Sequence, residues 1–164
     1  MILVTGAAGH LGNVLVRELL ADGFKVRALV LPREDTSALT GMDIEIVEGN
    51  VLNPSSLEKA MQGIDTVFHM AGIISIMPGQ DDLMRRVNVE GTLRLVERCL
   101  KHGVRMLHVA SVHAITEKPE GQVMAEPERL EPDAVVGWYA KTKAMAARLV
   151  MVSREKQGLK ASIV

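Results

Sequence analysis

An α/β fold built on a doubly wound parallel sheet with strand order 3-2-1-4-5-6 is the architecture this sequence predicts. Two observations carry it. Apolar runs of strand length alternate with helical patterns along the whole chain, and a glycine-rich turn joins the first strand to the first helix. A third agrees: most strand runs look apolar on both faces, as strands covered by helices above and below must be.

Strands are expected at residues 2–5, 26–31, 44–47, 66–70, 104–110 and 160–164. Helical faces fall between most of them: Leu11, Val14, Leu15 and Leu19; then Leu57, Ala60, Met61 and Ile64; then Leu83 and Val87 continuing into Leu93, Val96 and Leu100. Asn53-Pro54 reads as an N-cap followed by proline at the first helical position, and Gly103 and Gly158 read as helix stops. No internal repeat is visible. Residues 116–133 hold three prolines and six acidic side chains and are expected as a surface loop, of a length that often makes a lid beside a site.

At 164 residues the chain is the size of one domain, enough to bury about two-thirds of its unfolded surface. A hydrophobic fraction of 48% with 24% charged residues excludes a disordered class. The net charge of -1 offers no basic field for nucleic acid, so a small neutral or anionic ligand is expected as partner. No apolar run approaches the ~20 residues of a membrane span, and the opening Met1-Ile2-Leu3-Val4 lacks a basic leader. The expected compartment is therefore the cytoplasm, with no membrane partner. Cys99, the one cysteine, sits in a helical pattern and reads as core.

Chemistry enters at Thr5-Gly6-Ala7-Ala8-Gly9-His10-Leu11-Gly12. Gly6 permits a tight turn, Gly9 lets the backbone approach a pyrophosphate, and Gly12 lets the helix pack on the strand. A helix beginning here adds about +0.5 of an elementary charge and free amides, which suits the phosphates of a dinucleotide. Further along, Tyr139 and Lys143 stand one helical turn apart on a common face. An ammonium beside a phenol lowers its pKa from about 10 toward the range of a general acid or base.

The Gly-x-x-Gly-x-x-Gly spacing resembles the extended short-chain dehydrogenases/reductases, the NAD-dependent epimerase/dehydratase family, in a dihydroflavonol-reductase-like style. Other segments are similar to that family in the right order. These are residues 67–72 (VFHMAG), residues 88–92 (NVEGT), Ser111 closing the fifth strand, and the Tyr-x-x-x-Lys of Tyr139 and Lys143. The resemblance implies a Rossmann fold and NAD or NADP as cofactor. It implies a dinucleotide site of Gly6, Ala8, Gly9, His10, Leu11, Gly12, Arg33, Asn50, Val51, Ala71, Gly72, Tyr139 and Lys143. It also implies catalysis by Tyr139 as acid or base, with Lys143 on the nicotinamide ribose, Ser111 on the substrate oxygen and Asn88 supporting a proton relay.

The implied reaction is hydride transfer between NAD(P) and a carbonyl or secondary alcohol. A nucleotide-sugar epimerase is the alternative, and a non-catalytic NAD(P)-sensing protein is the third reading. The resemblance also allows a homodimer. Residues 1–164 are expected as the dinucleotide-binding domain, stopping within the sixth strand and short of a substrate domain.

Departures from the family pattern shape the expectations. Val112 and His113 stand where dehydratases of the family carry an acidic pair, which disfavours dehydration. Asn50 replaces an Asp that reads adenine, and Ala110 a frequent Ser. The second strand ends Leu29-Val30-Leu31-Pro32-Arg33 with no acid at its end. Arg33 is then the nearest cation, and the expected lean is mildly to NADP. His69 reads as a satisfied strand-end histidine, His113 as a residue that could face substrate, and no metal site is expected.

Overall fold

The computed structural model describes residues 1–75, 77 and 79–164. Among them one six-stranded sheet runs β3-β2-β1-β4-β5-β6, with every neighbouring pair parallel. The strands are β1 (Ile2–Thr5), β2 (Val26–Val30), β3 (Glu45–Glu48), β4 (Thr66–His69), β5 (Arg105–His108) and β6 (Ala161–Ile163). Each expected strand has its counterpart: β1 keeps the expected bounds, β3 is shifted by one residue, and the other four are one to three residues shorter. The helices are α1 (His10–Ala21), α2 (Pro54–Ala60), α3 (Asp81–Met84), α4 (Gly91–His102) and α5 (Trp138–Gln157).

Side chains alternate across the sheet, so each strand feeds two cores. Leu3, Val67 and Met106 pack with α2 and α4 through Leu57, Met61, Leu95 and Val96. Ile2, Val4, Val26 and Ala28 face the other way onto Val16 and Leu19 of α1. Local signals place the helix ends. The Asn53 side chain accepts from the amides of Ser55 and Ser56 at the start of α2, and Gly103 and Gly158 take left-handed φ values of 67° and 73° after α4 and α5. Of the acidic loop, Leu130 and Pro132 are buried, and Leu130 packs on Ala140, Ala144 and Ala147 of α5.

Two expected helix faces are corrected. In α1 the buried residues are Gly12, Val16 and Leu19, while Leu11 and Val14 point outward, because the helix lies on the sheet through its glycine side. In the second case a π-helical turn, Arg85–Glu90, joins α3 to α4. A π turn inserts one residue into the helical register and rotates everything after it. Leu83 before it and Leu93 after it are both exposed, and Met84, Leu95, Val96 and Cys99 take the core. Burial pushes the Cys99 thiol up to about 12, as expected of an inert core cysteine.

The phosphate turn depends on close backbone packing at Gly12. A Cβ there would stand 2.0 Å from the Gly6 carbonyl oxygen and 2.8 Å from the Ala7 Cα, both parts of the main chain. Gly12→Ala is therefore expected to lose ~3 kcal/mol or more of stability in denaturant unfolding. Gly9→Ala meets only the Gly6 oxygen at 3.3 Å and should stay within ~1 kcal/mol of the parent. Equal stability of the two variants would contradict this packing role.

Candidate active site

β1 delivers the chain into a turn at Gly6, φ 72°, which a Cβ would push into the Met70–Ala71 backbone at 2.8–2.9 Å. The turn closes on Gly9 N–H to Gly6 O at 3.1 Å, and α1 begins with no side chain capping it. Its first amides are thus left to an external acceptor. Gly9 is extended at φ -73°, so its lack of a side chain answers no conformational need. It keeps open a cradle that a Cβ would fill, which fits a group brought against the backbone. His10 and Leu11 are exposed at the helix start, Ala8 is half-buried, and Gly12 serves packing.

Beside this turn lies a cavity of about 360 Å³ lined by Thr5, Gly6, Leu29, Leu31, Glu34, Gly49, Asn50, Val51, Ala71 and Gly72, with Ile73 and Leu83 among the rest. It brings Gly6, Asn50, Val51, Ala71 and Gly72 together. The Asn50 Oδ1 accepts from Leu52 N–H at 2.8 Å, which leaves the amide nitrogen as its free arm. Arg33 is not among the described residues lining the cavity, whereas Glu34 is. The expectation that no acid stands at the end of β2 is corrected by a turn. Pro32 and Arg33 are its central residues, Glu34 N–H bonds Leu31 O at 3.0 Å, and Arg33 takes φ 66°. Proline followed by a left-handed residue is the type II pattern, so Leu31-Pro32 was the signal available in the sequence.

Beneath the site runs a buried polar chain that sequence reading missed apart from His69. Thr92 Oγ1 donates its proton to Asn88 O at 2.7 Å, so it must accept from His69 Nε2 at 2.9 Å. His69 Nδ1 is then the acceptor for Thr5 Oγ1 at 2.8 Å, and Thr5 in turn accepts Ala71 N–H at 3.2 Å. A neutral ring satisfies every member. Burial first, and the Lys143 charge second, hold the His69 pKa down to about 3. The chain ties the turn at Ala71 to the π turn at Asn88. His108 lies across from His69 in the β4–β5 register, with ring centroids 5.4 Å apart. It is buried with neither ring nitrogen bonded among the described residues, and burial keeps its pKa well below the usual value.

Ser111 follows β5, half-buried, and its Oγ accepts from His113 N–H at 3.2 Å. Tyr139 is the second residue of α5 and half-buried, with the exposed His113 ring edge-on to it at 6.3 Å. Lys143, one turn on, is buried, and its Nζ donates to Val109 O at 2.6 Å. Sequence reading paired Lys143 with Tyr139; here a buried ammonium takes the carbonyl at the end of β5 as its acceptor. Burial draws its pKa from 10.5 down to about 8. Asn88 accepts Ile73 N–H at 2.8 Å and donates to Ile73 O and Thr142 Oγ1, both at 3.0 Å. Its amide therefore locks the turn after β4 to α5, a positioning task.

Among the described residues no group of three His, Cys, Asp or Glu is placed to hold a metal, and no helix is long and apolar enough to cross a membrane. Residues 2–164 match the NAD dependent epimerase/dehydratase family. The chain is 36% identical over 163 residues to a sterol demethylase protein B of Methylococcus capsulatus, covering 99% of this chain and 49% of that protein. It is 32% identical over 154 residues to a putative dihydroflavonol 4-reductase of Synechocystis, covering 93% and 45%. A short-chain dehydrogenase/reductase superfamily protein from Agrobacterium tumefaciens, solved with bound NAD, superposes with a TM-score of 0.84 at 30% identity, over 99% of this chain and 48% of that one. The chain thus spans about half the length of the relatives it matches. By motif order, sheet topology and sequence alike, it belongs to the NAD-dependent epimerase/dehydratase family of extended short-chain dehydrogenases/reductases.

Proposed function

We propose that the chain forms the dinucleotide-binding and proton-transfer half of an oxidoreductase that interconverts a carbonyl and a secondary alcohol on a small molecule. The observations that support this reading are the bond of Lys143 to Val109 O, two residues before Ser111, and the edge-on packing of Tyr139 on His113, whose amide bonds Ser111 Oγ. Bound NAD(P) would supply or take the hydride. Ser111 holds the substrate oxygen through its Oγ, and Tyr139 gives that oxygen a proton in reduction or removes one in oxidation. Lys143 contributes positive charge beneath the phenol and a donor for the cofactor's ribose. Asn88, His69 and Thr92 hold the backbone around these groups without touching the reacting atoms.

The same side chains would serve a nucleotide-sugar epimerase, and retention of both Tyr139 and Lys143 weighs against a sensing protein without catalysis. Incubating the full chain with NADH or NADPH and a panel of aldehydes and ketones, and separately with NAD⁺ and nucleotide sugars, divides these readings. Consumption of reduced cofactor by a carbonyl is the expected result. Interconversion of sugars with no net change in cofactor would assign the epimerase, and inertness toward both panels despite cofactor binding would sink both enzymatic readings.

A further inference from the structure

Resting on the dinucleotide reading of the cavity, we infer that Glu34 sets cofactor choice and selects NAD over NADP. The position that would carry the ribose-binding acid at the end of β2 is occupied by Leu31, which is apolar. The type II turn restores an acid there by folding the chain back. Glu34 N–H bonds Leu31 O at 3.0 Å, and Glu34 Oε2 accepts Leu31 N–H at 2.7 Å. This reciprocal clamp holds the side chain against the strand end from which a dinucleotide site is read.

The clamped carboxylate lines the same cavity as Gly6, Leu29, Asn50 and Val51. One oxygen is engaged by Leu31, and the other is free to accept from a hydroxyl. A ribose 2′-hydroxyl supplies such a donor; a 2′-phosphate instead brings negative charge against a carboxylate. Among the described residues lining the cavity none is cationic, and Glu34 alone is ionisable, so nothing there offsets that repulsion. Arg33, on which a lean to NADP would depend, is exposed, outside the lining, and held left-handed at φ 66° by the same turn that presents Glu34.

Equilibrium titration of the full chain with NADH and with NADPH, read as dissociation constants, tests this without any substrate. The parent should bind NADH at least about tenfold more tightly. Glu34→Gln keeps an oxygen for the Leu31 amide, so the turn survives, and the preference should shrink by about tenfold or more, chiefly through tighter NADPH. Arg33→Gly relieves the left-handed residue and should leave the ratio within about twofold. Equal or tighter NADPH binding by the parent, an unchanged ratio in Glu34→Gln, or a ratio governed by Arg33→Gly would overturn the inference. Failure of every variant to bind either cofactor would instead overturn the dinucleotide reading on which it rests.

Discussion

Tyr139→Phe is expected to lower turnover by ~10² to 10⁴ while dinucleotide affinity changes little. The substitution keeps the ring, and with it the edge-on contact to His113, and removes the proton the substrate oxygen must exchange. Nothing in the phosphate turn or the cavity depends on that hydroxyl: the turn is held by Gly6, Gly9 and the Thr5–His69–Thr92 chain. Steady-state rates on the true substrate, set beside cofactor titration, make the comparison. Near-normal turnover in the phenylalanine variant would remove Tyr139 as proton donor and direct attention to Ser111 or His113.

Lys143→Met is expected to be opposite in sign for activity and stability. On the proposed mechanism turnover should fall by ~10² or more, since the charge assigned to assist Tyr139 and the ribose donor assigned to Lys143 are lost together. Stability should rise by about 1–3 kcal/mol at pH 7, because the folded protein buries an ammonium whose pKa lies near 8 rather than 10.5. Between those values the unfolded chain binds more protons than the folded one, so the parent's stability rises with pH across the window. The penalty is fully present below about 8 and fades toward 10.5, and the advantage of the methionine variant should fade with it. Loss of the bond to Val109 O limits the gain, which is why the range lies at or below the full linkage value. Denaturant unfolding of both proteins at pH 7 and pH 10 measures this; a variant less stable than its parent at pH 7 would mean that Lys143 supports the fold.

The contrast between these two residues bears on what a sequence can reveal. Tyr139 and Lys143 were legible because a four-residue spacing puts side chains on one helix face whatever the surroundings. The acceptor of Lys143 was not, since Val109 arrives from a strand 34 residues away. Strand order was legible because apolar runs and a glycine turn are local signals, and few topologies join alternating strands and helices. The phase of α4 was not legible because Leu93 and Leu95 are both apolar, and only packing against the sheet decides that Leu93 points outward and Leu95 inward. Glu34 was overlooked for a related reason. It lies three residues past the strand end, and only the positive φ of Arg33 brings it back to Leu31. The proton order along Thr5, His69, Thr92 and Asn88 needs four segments in contact, so no single segment announces it.

The most direct test of the central claim follows the hydride. The full chain, supplied with NADH carrying deuterium at the transferable C4 position and with a carbonyl substrate, should yield an alcohol labelled at the carbinol carbon, one label for each cofactor oxidised. Product formed without label while the cofactor remains reduced would contradict the assignment of this fold and its Ser111, Tyr139 and Lys143 to hydride transfer.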